Sequence, residues 1–265
     1  MATIRVVVNG AMGKMGQEVM QALAKEKDIA VVGGVDLKPG DASVDLGNGV
    51  SLTVSPSLEQ TIMGTRPNVV VDFTNVEGAK ACAMIASHHG VHTVVGSSGI
   101  TEAVLRDLET LANEYKVGIL VVPNFAMGAV VLEYLAKMAA PFFDYVEIVE
   151  AHHEQKIDSP SGTALSIARS IKSKSPPLKH NNPTKEPLPG GRGANFEGIA
   201  IHSMRMPGRL AHHEIVFGAQ GQTLTLRHDS LNRECYMPGV VRAVREVVQS
   251  KGLTVGLERV LGLSK

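Results

Sequence analysis

The chain contains no tryptophan, and aromatic residues make up only 4% of it. Stacking platforms for nucleic-acid bases are therefore scarce. Lys+Arg and Asp+Glu are equal at 26 each, and the formal net charge is zero. No global field draws in a polyanion or an anionic membrane, so neither nucleic acid nor a membrane is expected as a partner. The two cysteines, Cys82 and Cys235, form no metal-ligand or redox spacing. They are expected as reduced thiols of a cytoplasmic protein, and no bound metal is expected. No apolar run reaches the length of about 20 residues that spans a bilayer. The opening MATIRVVVNG enters a strand pattern directly, without signal-peptide architecture. What is present is ordinary for a globular protein: 265 residues, 44% apolar and 20% charged. That length suffices for one large core or two smaller ones.

Up to about residue 125, short β-branched runs alternate with helical patterns. IRVVVN (4–9), IAVVGGV (29–35), VVVDF (69–73), VHTVVG (91–96) and VGILVV (117–122) read as buried strands. Helical patterns lie between them at 14–25, 78–89 and 101–115. Apolar strands separated by amphipathic helices imply a parallel sheet covered on both faces, and right-handed crossovers make it doubly wound. After Pro123 the pattern changes to a helix from Met127 to about Ala140, a strand, a second helix, and a polar loop at 174–198 rich in proline and glycine. Strand patterns without intervening helices follow at 198–206, 212–218 and 222–230, as in a mixed sheet. A helix from Pro238 to Val248 and a short tail close the chain. The fold expected is α/β: a doubly wound (Rossmann) nucleotide-binding domain over 1–126, then an α+β domain with a mixed sheet over 127–237.

Gly10-Ala11-Met12-Gly13-Lys14-Met15-Gly16 links the first strand to the first helix. Gly10 permits a tight turn, Gly13 a close backbone approach to a pyrophosphate, and Gly16 tight packing of helix on sheet. The spacing is GxxGxxG, a variant of the dinucleotide fingerprint, and Asp36 ends the next strand where a ribose-binding acid is placed. Asp36 favours NAD, whereas Lys14 or Lys38 would suit the 2′-phosphate of NADP, so both NADH and NADPH are expected to serve. Two further turns, Gly96-Ser97-Ser98 and Val122-Pro123-Asn124-Phe125, sit at strand carboxyl ends, where small and polar residues hold a nicotinamide ribose and carboxamide.

The densest chemistry lies in EAHHEQKIDSPSGTA, residues 150–164. Ser159 reads as a helix cap and Pro160 as the first helical residue, leaving the N–H groups of Ser161, Gly162 and Thr163 free for a carboxylate or phosphate. His152, His153 and Lys156 lie just upstream, and each can donate a proton or pair with a carboxylate. An anion-binding helix start beside proton donors suits a small dicarboxylate that gains a proton. The neighbouring histidines would point to opposite faces of a strand, which argues against a shared metal ion. A solvated strand end followed by an ordinary capped helix would explain part of the same stretch.

These residues resemble those of the dihydrodipicolinate reductase family. The resemblance covers nearly the whole chain and rests on NGAMGKMG, VVDFTN (70–75), VVGSSG (94–99), VPNFAMG (122–128) and EAHHEQKIDSPSGTA. The family commonly has Asp-Ala-Pro-Ser-Gly-Thr where this chain has Asp158-Ser159-Pro160-Ser161-Gly162-Thr163, and often two threonines where it has Ser97-Ser98. The resemblance implies NADPH- or NADH-dependent reduction of a small cyclic dicarboxylate to tetrahydrodipicolinate, on the diaminopimelate route to lysine. It implies His152 as proton donor and acceptor, Lys156 as proton donor, and His153, Gly162 and Thr163 as substrate contacts. Gly10 to Met15, Asp36, Gly96 to Ser98 and Val122 to Phe125 would contact the dinucleotide. It further implies a homotetramer joined through sheets of the second domain, with the C-terminal segment 238–265 returning to the first.

Two other readings compete. A two-domain dehydrogenase acting on an aspartate-derived aldehyde would need a thiol nucleophile, and neither cysteine has a setting that activates one. A nucleotide-sensing regulator without catalysis would leave His152, His153 and Lys156 without a role.

Overall fold

A computed structural model describes residues 3–38, 42–47, 49–180 and 183–263. Residues 181–182 of the expected loop, and 264–265 of the expected C-terminal segment, lie outside the described residues. In chain order the first elements are β1 (Ile4–Asn9), α1 (Lys14–Ala24), β2 (Ile29–Val35), β3 (Ser43–Gly47), β4 (Val50–Ser55), α2 (Leu58–Thr65) and β5 (Val69–Asp72). Next come α3 (Val76–His88), β6 (His92–Val95), α4 (Glu102–Tyr115), β7 (Gly118–Val121), α5 (Met127–Ala139), β8 (Tyr145–His152) and α6 (Gly162–Lys172). The last are β9 (Ala194–Phe196), β10 (Ile199–Arg205), β11 (Ala211–Ala219), β12 (Gln222–Ser230), α7 (Met237–Val247), β13 (Gly252–Val255) and α8 (Leu257–Val260). The chain forms two compact units: residues 1–127 with 233–265, and residues 128–232.

The first unit is built on an eight-stranded sheet in the order β13-β7-β6-β5-β1-β2-β4-β3. All neighbours are parallel except β3 with β4. The central strands are sealed on both sides: Val6, Val7, Val8, Val69, Val70 and Val71 have no exposed surface. Continuous valine runs suit this position because both faces of each strand pack against helices. Side-chain caps start three of those helices: Ser57 for α2, Asn75 for α3 and Thr101 for α4. The final segment contains more than a helix and a tail. After α7, strand β13 joins the sheet edge parallel to β7, and α7 packs on β5, β6, β7 and α1. Arg245 of α7 bonds the carboxylates of Glu26 and Asp28 at 2.6 Å each, fixing the segment to the turn after α1.

The second unit has a five-stranded sheet, β12-β11-β8-β10-β9. Only the β8–β10 pair is parallel. Helices α5 and α6 cover one face, burying Leu132, Ala136, Ile167 and Ile171 against Val146, Ile148, Ile199, Ile201, Ile215 and Phe217. By the alternation of the strands, Glu150 and His152 of β8 share that covered face. The opposite face carries Glu147, bonded by Arg192 at 2.6 Å and by His202 at 2.8 Å, and His212, bonded to Asp229 at 2.6 Å. The end of the expected 174–198 loop contributes β9, a short edge strand antiparallel to β10. Among the described residues, no helix is long and apolar enough to cross a membrane.

Candidate active site

The strands β1, β2, β5, β6 and β7 run parallel, so the turns that follow them share one edge of the sheet. Sheet order reverses direction at β1, which has β2 on one side and β5 on the other. A dinucleotide binds at such a switch point. Gly10 has φ +82°, and a Cβ there would lie 2.9 Å from the carbonyl oxygen of Phe73. A Cβ on Gly16 would lie 2.1 Å from the carbonyl oxygen of Gly10, so α1 can approach the turn only with glycine there. Gly13 caps α1 with no side-chain hydrogen bond, which leaves the helix start open.

The donors divide in a way the spacing did not reveal. The N–H groups of Gly10 and Ala11 donate to the Val35 carbonyl, that of Gly13 donates to the Gly10 carbonyl, and that of Met12 donates to Asp36 Oδ2 at 3.0 Å. The helical ladder begins with Gln17 N–H to Gly13, so the donors ahead of it are those of Lys14, Met15 and Gly16. An anion at this turn would therefore meet Lys14 and Met15, while Gly10 and Ala11 shape the turn. Asp36 stands at the end of β2 beside it. These features fit a dinucleotide: an uncapped helix start, two glycines that no larger residue can replace, and a carboxylate at the second strand end.

The remaining turns of that edge are organised by a residue not singled out in the sequence. Asp72, fully buried at the end of β5, accepts from Asn9 Nδ2 (2.7 Å), Thr74 Oγ1 (3.0 Å) and Ser97 Oγ (2.8 Å). It ties the ends of β1, β5 and β6 together. Phe73 packs against Gly96, where a Cβ would lie 2.4 Å from the ring, and its ring centroid is 5.4 Å from that of Phe125. Ser97 is buried and Ser98 exposed; Val122 N–H donates to Val95 O, Pro123 is exposed, and Asn124 Oδ1 accepts from Ala126 N–H. The same Asp72–Asn9 group lies near Cys82, whose thiol is pushed up first by burial and then by the charge of Asp72. That thiol is not an available nucleophile.

In the second unit, His152 is the last residue of β8 and is buried at 7% exposure, whereas His153 follows the strand and is exposed. The two do not converge, and no cluster able to hold a metal ion exists among the described residues. His152 Nδ1 lies 2.5 Å from Oε2 of Glu150, two residues earlier on the same strand face. Glu150 has no exposed surface, and Arg205 of β10 grips its carboxylate with two bonds of 2.8 and 2.9 Å. Burial opposes its ionisation, but hydrogen bonds from His152, Arg205 and Ser203 outweigh it and hold the carboxyl well below the usual range. His213 of β11 completes the group, with its ring centroid 5.4 Å from that of His152 and Nε2 3.3 Å from Ser161 Oγ. Burial and then the neighbouring charge of His152 push His213 down to about 4.

The helix start differs from the sequence expectation. Helix α6 begins at Gly162 with Ser161 as its cap, not at Pro160 with Ser159. Ser161 Oγ accepts from Ala164 N–H, and Ser161 N–H donates to Glu150 Oε1 at 3.2 Å. Ser161 is thus spent on internal bonds and buried, so its N–H is not a free donor for a substrate. Gly162 is exposed with open space where a Cβ would sit, and Thr163 follows it. Lys156 is paired at 2.6 Å with Asp158, whose carboxyl is held low by that ammonium; the Gly162 N–H lowers it further. Glu150 lay in plain view, two residues before His152 and on the same face. Arg205 and His213 come from strands whose register the sequence does not state.

Comparison with known proteins agrees across both units. The family model described as dihydrodipicolinate reductase, N-terminus, matches residues 4–125, and that described as dihydrodipicolinate reductase, C-terminus, matches residues 128–261. A 4-hydroxy-tetrahydrodipicolinate reductase of Dehalococcoides mccartyi is 44% identical over 264 residues, covering 99% of this chain and 100% of that protein. One from Moorella thermoacetica is 44% identical over 265 residues, covering 98% of each. Among solved structures, the dipicolinate-bound dihydrodipicolinate reductase from Paenisporosarcina sp. TG-14 superposes with a TM-score of 0.87 at 40% identity, covering 97% of this chain and 99% of that one. The chain belongs to the dihydrodipicolinate reductase family.

Proposed function

We propose that this chain is an NAD(P)H-dependent reductase acting on 4-hydroxy-tetrahydrodipicolinate, or the dihydrodipicolinate formed from it, to give tetrahydrodipicolinate for lysine synthesis. The observation that carries the reading is the buried Glu150–His152 pair beside the start of α6, in a chain of this family. A bound nicotinamide dinucleotide supplies the hydride. The start of α1 at Lys14 and Met15 holds its pyrophosphate, and Asp36 takes the adenosine ribose. Lys14 and Lys38 provide for a 2′-phosphate, so both NADPH and NADH serve. Ser97, Ser98 and the 122–125 turn border the nicotinamide end.

In the second unit, His153, Gly162 and Thr163 hold the carboxylates of a small cyclic dicarboxylate, as the dipicolinate bound by the Paenisporosarcina relative suggests. His152 donates the proton that completes the reduction. Lys156, freed from Asp158, neutralises the substrate or donates in its place. The enzyme works in the cytoplasm as a homotetramer joined through the open face of the β8–β12 sheet.

The test is NAD(P)H oxidation on freshly generated substrate, with aspartate semialdehyde as control. Turnover of the first and not the second is expected. His152→Ala and Lys156→Ala should each lower kcat by roughly 10²- to 10⁴-fold, and Lys156→Ala should leave the melting curve unchanged. Full turnover by His152→Ala would remove the catalytic role.

A further inference from the structure

We propose that Glu150, locked by Arg205, is the positioning residue that fixes the His152 tautomer and makes Nε2 its proton-transferring atom. The inference rests on the reading of His152 as the proton donor. It starts from donor and acceptor accounting. An ionised carboxylate only accepts. Oε2 of Glu150 lies 2.5 Å from His152 Nδ1 and receives Arg205 Nη1 at 2.9 Å, while Oε1 receives Arg205 Nη2 at 2.8 Å and Ser161 N–H at 3.2 Å. His152 Nδ1 must therefore carry a hydrogen whether the ring is neutral or charged. That leaves Nε2 to gain and lose the proton. In the donating step the Nε2–H bond breaks, its electron pair stays on nitrogen, and the proton passes to the reduced substrate, while Nδ1–H stays on Glu150.

A structural ion pair alone would not need this arrangement. Arg205 already satisfies both carboxylate oxygens, yet the imidazole is held at the shorter distance, at the strand end nearest the start of α6. Arg205 is fixed in turn by the Asp158 carbonyl, which accepts from Nη2 at 2.6 Å. The charges around His152 favour one outcome. Glu150 on its own strand is anionic and Arg205 on β10 is bound to it. His213 on β11 stays neutral, and so adds no positive charge beside His152. Further out, His212 is paired with Asp229, burial lowers His228 of β12, and Lys156 is paired with Asp158. The carboxylate thus holds the ring's aim before and after transfer.

The first measurement reads the wild-type ring. With 15N-histidine-labelled wild-type protein, and the His152 resonances assigned by their loss in His152→Ala, the neutral ring should show a protonated Nδ1 and an unprotonated Nε2. The opposite tautomer, or a mixture, overturns the proposal. Glu150→Gln keeps the shape and removes the charge. It should lower kcat about 100-fold with KM within about threefold. Arg205→Lys, which keeps charge but not the two-pronged grip, should fall between Glu150→Gln and wild type. Wild-type kcat in Glu150→Gln would sink the inference while leaving His152 as proton donor. Full kcat in His152→Ala would instead sink the underlying reading. If Glu150→Gln does not fold, the wild-type tautomer decides.

Discussion

Glu150 and His213 lie side by side across β8 and β11, one an enclosed carboxylate kept charged and the other an enclosed imidazole kept neutral. Their environments differ in donors. Glu150 receives a guanidinium, an imidazole and an amide, whereas His213 has one hydroxyl contact. The neutral state of His213 carries a stability consequence. Its value falls from 6.5 in the unfolded chain to about 4 in the folded protein, so the unfolded state binds the extra proton first on acidification. Stability is therefore full above the unfolded value and declines as pH falls between the two, by on the order of 3 kcal/mol for this group. His213→Gln should lose this component. Its melting temperature should drop less than that of wild type between about pH 7 and about pH 5, as calorimetry would show. At this scale the sequence displayed His152, His153 and Lys156 because they crowd one short stretch. It hid Arg205, His213 and Asp72, because their roles depend on strand register and on bonds between residues as much as 63 positions apart.

The glycine turn and the start of α6 show two ways of starting a helix. In α1 the opening comes from the absence of side chains, and each glycine has its own job. Gly16→Ala would drive a Cβ to 2.1 Å from backbone, whereas the Cβ of Gly13→Ala would stand 3.3 Å from the same carbonyl. Gly16→Ala should therefore cost about 1–3 kcal/mol in urea unfolding. Gly13→Ala should unfold almost as wild type and lose NAD(P)H affinity in a fluorescence titration, because its methyl occupies ligand space. In α6 the start is set by a side-chain cap, Ser161, that is itself tied down. The pattern Ser-Pro at 159–160 imitates a cap and first turn, but Ser161 holds both the Glu150 bond and the Ala164 cap, and this moves the start to Gly162. The central strands and the α1, α3, α4 and α6 patterns were legible because their apolar periodicity is strong. The β3–β4 hairpin, α2 and β13 were not, being short, partly exposed and dependent on neighbours for their pairing.

For the whole molecule, the division into two units separates the two halves of the chemistry. The features proposed to hold a dinucleotide belong to residues 1–127 with 233–265, and those proposed for proton transfer belong to 128–232. Each sheet exposes a different problem of coverage. The first is wrapped by helices on both faces. The second carries helices on one face and a polar, ion-paired opposite face bearing Glu147, His202, His212 and Asp229. If that face joins copies as proposed, light scattering should give four times the 28.1 kDa chain mass. Glu147→Lys, which sets a positive charge against Arg192, should shift the mass downward. A monomeric wild type would remove the assembly proposal and leave the fold untouched.

The return of the chain after residue 232 has a consequence for biosynthesis. A ribosome delivers residues 128–232 in full before β13, the closing strand of the host unit, leaves the exit tunnel. The sheet of the host unit therefore gains its β13 edge only after the whole inserted unit has been made.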